Sequence, residues 1–175
     1  MATIVVSLCL AVFALCMVWA AVNDLVTMKI PNRCTLLLLA AFVVAVPFSD
    51  LSWTALGDHA IFATGTLVFC FCLFMFNALG AGDGKLIAAT ALWLGPSAGF
   101  VFVVLLAAFG GLLALAVLVM RSAILPVRMA THPIVVRLQG ESRAIPYALA
   151  ISPAALLALS DSPFAAWVPF LPQAL

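Results

Sequence analysis

Leu86-Ile87-Ala88-Ala89-Thr90-Ala91-Leu92-Trp93-Leu94-Gly95-Pro96 decides how this chain is threaded. The run is apolar, but a Gly-Pro pair stops it early. A helix over 83–95 rises only about 20 Å, against about 30 Å for the hydrocarbon core of a bilayer. Fusing it with the apolar stretch over 98–120 would put Lys85 and Arg121 at opposite ends of one span. A turn at Gly95-Pro96 keeps both basic residues at the same end. The hairpin is therefore expected, with its turn set below the far membrane surface or with the bilayer thinned there.

Working outward, the rest of the chain has the same character. Of its residues, 67% are hydrophobic and 7% charged, against about 25% charged in an ordinary soluble domain. The expected fold is all-α, a polytopic membrane protein with about six transmembrane helices in a single domain over 1–175. Segments with barrel-type alternation are missing, and only helices or closed barrels satisfy their backbone inside lipid. The helices are expected over 3–22, 32–48, 55–79, 83–95, 98–120 and 144–160. The first is as long as a span and lacks a basic n-region, so it reads as a helix and not as a cleavable signal. A net charge of +1 gives no footprint for nucleic acid.

All seven basic residues fall on one side of this threading. Lys29 and Arg33 lie between the first two helices, Lys85 between the third and fourth, and Arg121, Arg128, Arg137 and Arg143 between the last two. Asp50, Asp58 and Asp161 lie on the other side. The positive-inside rule puts the basic loops in the cytoplasm and both termini outside. Residues 121–143 are expected on the inner membrane surface. Phe164, Trp167 and Phe170, set among prolines, are expected in the outer headgroup layer. Cys9, Cys16, Cys34, Cys70 and Cys72 form no CxxC pair and read as packing residues.

Asp24 and Asp83 stand out against this background. Charged groups at membrane depth are functional by default, and the threading puts both at the cytoplasmic ends of helices. Two close carboxyls do not both ionise cheaply and share a proton. The ionised one activates a water, and the protonated one polarises a scissile carbonyl. Asp83 lies in Gly80-Ala81-Gly82-Asp83-Gly84-Lys85. Its glycines permit positive φ and leave backbone bare for an extended substrate strand. Taken singly, Asp24 reads equally as an interfacial charge paired with Lys29 or Arg33, and Asp83 as a helix cap. Together they favour an aspartic peptidase. The alternatives are a small ion- or proton-coupled transporter component using the two aspartates and a non-catalytic assembly scaffold.

The motifs resemble those of the prepilin peptidases, membrane aspartic peptidases that mature type IV pilins. Asp24 followed by Ile30-Pro31-Asn32 resembles the first motif, and Gly80 to Lys85 resembles the second, Gly-x-Gly-Asp-x-Lys. Arg143-Ala144-Ile145-Pro146-Tyr147 onward is similar to the last helix of the short Tad/Flp-pilus type. The resemblance implies that Asp24 and Asp83 are the catalytic pair. It implies that Gly80, Gly82 and Gly84 shape the turn and that Lys85 supports it, touching headgroups or substrate. No metal and no cofactor are implied. The implied partners are a prepilin substrate, cut between its short basic leader and the hydrophobic segment that follows, the lipid bilayer and the pilus assembly machinery. The implied location is the bacterial cytoplasmic membrane, with the active site facing the cytoplasm. The long cysteine-bearing loop of larger members is absent here, so N-methyl transfer is not expected. Gly84 stands where Val is common.

Four lesser signals carry less. Gly95-Pro96-Ser97-Ala98-Gly99 matches a nucleophile-elbow pattern, but that motif needs a strand-to-helix turn. Asp58 and His59 would complete such a triad on the outer side only in name. His132 has no second histidine near it for a metal. Asn77 is expected inside the third helix as a structural residue, and Tyr147 serves equally as an anchor or a substrate contact.

Overall fold

The computed structural model describes residues 1–122 and 145–167. They form α1 (Ala2–Thr27), α2 (Asn32–Ala45), α3 (Trp53–Met75), α4 (Ala81–Ser122) and α5 (Ala148–Ala158). Short 3₁₀ turns follow α2 (Val46–Phe48) and α5 (Leu159–Asp161, then Pro163–Trp167). No strand occurs among the described residues. Ala2–Thr27, Trp53–Met75 and Ala81–Arg121 are each long and apolar enough to cross a membrane, and two shorter apolar helices accompany them. The chain is an all-α polytopic membrane protein. Most of the expected surface loop over 121–143, with His132, and Phe170 of the tail lie outside the described residues.

The break in α4 has a physical cause at each position. Gly95 adopts φ 66° and ψ −176°, a conformation L side chains resist. Pro96 has no N–H, so the carbonyl four residues back, Leu92, loses its helical partner. His59 of α3 fills the gap: its Nδ1 lies 2.7 Å from the Leu92 carbonyl oxygen, which fixes the proton on that nitrogen. A Cβ on Gly95 would collide with the His59 ring. The glycine is needed both for its dihedrals and for this contact.

The two limbs of α4, 81–94 and 96–122, reverse direction at this point. Along the first limb Gly84 lies against Cys70 and Gly95 against His59; along the second, Gly99 lies against Phe62 and Gly110 against Tyr147. Tyr147 in turn shares a cavity with Asp83. The expected hairpin is therefore present, with its turn level with the middle of α1. Trp93 packs on Phe13, halfway along α1, with ring centroids 5.3 Å apart. The second limb runs on past Gly110 for about 17 Å to Arg121.

Three expected boundaries move: the last helix begins at Ala148 and not at 144, because Pro146 and Tyr147 precede its first turn, and two others shift for local reasons. α1 continues to Thr27 because its last turn is tied off locally. Thr27 Oγ1 donates to the Asn23 carbonyl at 2.8 Å, and Asn23 Nδ2 donates to the Lys29 carbonyl at 2.6 Å. Met28 then turns left-handed (φ 54°) and donates its N–H to the Asp24 carbonyl. α3 ends at Met75, before Asn77. Ala78 N–H bonds back to the Leu73 carbonyl and Asn77 N–H to that of Phe74. With Asn77 at φ 55°, this is the Schellman closure, which favours Gly or Asn at the left-handed position.

Lipid tails are as apolar as leucine, so packing and interhelical hydrogen bonds hold such bundles, each bond adding on the order of 0.6–2 kcal/mol. Trp93 Nε1 donates to the Leu38 carbonyl at 3.0 Å, Ser152 Oγ to that of Met17 at 2.7 Å, and Cys34 Sγ to that of Cys16 at 3.2 Å. Phe164 corrects an expectation. It is fully buried against Trp93 and Phe42, not placed in a headgroup layer. Residues 163–167 fold back over the hairpin turn, and Ser7 Oγ holds them at the Trp167 carbonyl, 3.2 Å away. Cys9, Cys16, Cys34 and Cys70 are buried free thiols; Cys72 is exposed.

Candidate active site

Asp24 lies in the last turns of α1 and is buried. Its Oδ2 accepts the N–H of Ala148, the first residue of α5, at 3.0 Å. No side chain of α5's own caps that terminus. A carboxylate from another helix therefore meets one of the orphan donors at the positive end of the α5 dipole.

Asp83 sits in the first turn of α4. The Gly80 carbonyl takes the first helical bond, from Gly84 N–H at 3.0 Å, which makes Gly80 the cap and Asp83 the third helical residue. Its carboxylate folds back against Gly80, the placement of the reciprocal half of a capping box. A Cβ on Gly80 would stand 2.6 Å from Asp83 Oδ2. The two aspartates come together here. They line one cavity of about 480 Å³ together with Gly80, Met28, Asn77 and Tyr147.

The two motifs also interlock. Gly82 faces Ile30, where a Cβ would meet the isoleucine Cβ at 3.2 Å. Lys85 Nζ donates to Asn32 Oδ1 at 3.3 Å. Ile30-Pro31-Asn32 is thus the surface against which the glycine-rich turn is set. This differs from the expected reason for the glycines. Among the described residues only Gly95 has positive φ for a glycine. Gly80, Gly82 and Gly84 are small because Asp83, Ile30 and Cys70 press on them. Lys85 reaches the neighbouring motif instead of standing free.

Residue type gives no sign of Ala148, whose contribution is a backbone N–H at the helix start after Pro146-Tyr147. Asn77, expected inside the third helix, and Tyr147 both line the cavity. Among the described residues no cluster of three or more His, Cys, Asp or Glu is placed to hold a metal. Gly95 to Gly99 form the hairpin turn, as expected, and His59 beside it is engaged with Leu92.

Fold and site together define a helical membrane protein with two acids facing one cavity between the ends of α1, α4 and α5. The model of the type IV leader peptidase family matches residues 11–115, and the chain belongs to that family. It is therefore a protease of the leader-peptidase kind and not a transporter component. The match includes both aspartates and stops short of α5. No curated protein and no solved structure matches the chain.

Proposed function

We propose that the chain is an aspartic endopeptidase that removes the basic leader from type IV, Flp-like prepilins at the cytoplasmic face of the bacterial inner membrane. The observation that carries this reading is the shared cavity of Asp24 and Asp83. Two such carboxyls hold one proton between them. The ionised member takes a proton from a water as it attacks the scissile carbonyl. The protonated member donates to the developing oxyanion. The proton then passes to the leaving amine, and the C–N bond breaks. The backbone donor at Ala148 holds the Asp24 carboxyl in place, and close packing on Gly80 fixes that of Asp83.

Cleavage at the cytoplasmic face follows from the charge distribution: Lys29, Arg33 and Lys85 surround the aspartate end. A partner role for the pilus assembly machinery follows from the substrate. The test is incubation of the purified protein with a candidate prepilin, wild type beside Asp83→Asn. Wild type should release the leader and Asp83→Asn should not. Equal cleavage by both proteins would refute the dyad.

A further inference from the structure

α3 packs chiefly on α4, and a cleft flanks it on each side. One, of about 680 Å³, lies between α3 and the second limb of α4. Its walls are Phe62, Thr66 and Leu73 on one side and Val103, Leu106 and Ala107 on the other. From Ile61 to Leu73 it follows α3 for about 18 Å, the rise of a dozen helical residues. At its inner end Ala78, Leu79 and Tyr147 form its wall, and the same three residues line the aspartate cavity. The other cleft, of about 540 Å³, lies between α2 and α3 beside Ala63 and Lys85, and shares no lining residue with that cavity.

We propose that the cleft between α3 and the second limb of α4 holds the apolar helix of the substrate, delivering the bond before it to Asp24 and Asp83 past Leu79 and Tyr147. This rests on the prepilin-peptidase reading above. Direct sharing of Ala78, Leu79 and Tyr147 with the aspartate cavity favours this cleft, whereas its neighbour meets that cavity only through a smaller cleft of about 220 Å³ beside Phe74 and Gly80. A chain whose cut bond lies between the carboxyls has an apolar way out of the cavity here. The lining also suits a helix. Gly65, Thr66 and Ala107 are the small residues that let helices approach closely in lipid. A Cβ on Gly65 would meet nothing within 4 Å, so a larger side chain there fills the cleft without disturbing α3.

The experiment is steady-state cleavage of a full-length prepilin by Gly65→Leu, with Ala107→Leu from the opposite wall and Ala63→Leu in the neighbouring cleft. The first two should raise KM by about tenfold or more with kcat kept, the pattern of lost uniform binding. Ala63→Leu should match wild type. Retained kcat also shows that a variant is folded, and Ala107→Leu decides if Gly65→Leu is inactive. Wild-type KM in both filling variants would mean that the cleft holds lipid only. A raised KM in Ala63→Leu alone would move the substrate to the other side of α3. Failure of the wild type to cut any prepilin would overturn the peptidase reading, and the cleft assignment with it.

Discussion

Asp24 caps α5, and in the proposed mechanism it also acts as an acid, two roles that substitutions can separate. Asn accepts the same backbone bonds but cannot supply the charge or the shared proton. Asp24→Asn should keep stability within roughly 0.5 kcal/mol, whereas Asp24→Ala should lose about 1 kcal/mol with the α5 cap. Both should lose cleavage by about 10⁴-fold or more. Thermal unfolding in detergent and a prepilin cleavage assay read the two effects, and near-wild-type cleavage by Asp24→Asn would sink the dyad. Gly80→Ala acts differently. Its methyl lands on Asp83 Oδ2, so the carboxylate must move. A displacement of about 1 Å costs on the order of 10² in rate. Cleavage by Gly80→Ala at the wild-type rate would show that the Asp83 rotamer is not critical. The two aspartates and the glycines were legible from residue type and spacing. The reason for the glycines was not, because it depends on which side chains press on them, and that is set by packing between helices distant in sequence.

Charge and proline spacing made most of the helical layout readable, since a basic residue cannot be drawn across lipid and Pro96 cannot continue a ladder. Helix ends were harder. Whether Asn77 continues α3 or closes it depends on two backbone bonds to Leu73 and Phe74, and hydrophobicity carries no sign of them. Phe164 was misread because its prolines suggest a surface tail, while the α4 turn leaves a place for its ring beside Trp93. The same turn makes His59 a structural residue. Its ring covers Gly95, stacks near Phe42 and satisfies the carbonyl Pro96 orphans. His59→Leu should therefore destabilise the fold by about 1–3 kcal/mol, the cost of a buried unpaired carbonyl. The loss should persist in a Pro96→Ala background, because Gly95 at φ 66° and ψ −176° keeps the next N–H off the Leu92 carbonyl. Unchanged thermal unfolding of His59→Leu in detergent would disprove the latch.

At the scale of the molecule, the cavity lies at one end of a bundle whose opposite part is closed by Phe13, Trp93 and Phe164. Substrate must then come from the side that carries Lys29 and Lys85, or laterally from lipid. The direction that end faces can be tested with thiols, but Cys34, which borders Arg33 in sequence, is unsuitable. It is fully buried in α2, with its Sγ on the Cys16 carbonyl. Lys29 is exposed just beyond the left-handed Met28, and Asp50 is exposed between α2 and α3 at the other end. With exposed Cys72 replaced by Ser, Lys29→Cys should react with an impermeant maleimide only in inverted vesicles. Asp50→Cys should react only in intact spheroplasts. The reverse pattern would put Asp24 and Asp83 on the outer face, away from any leader that has not been exported. Cleavage at the cytoplasmic surface would then be untenable even if both aspartates proved essential.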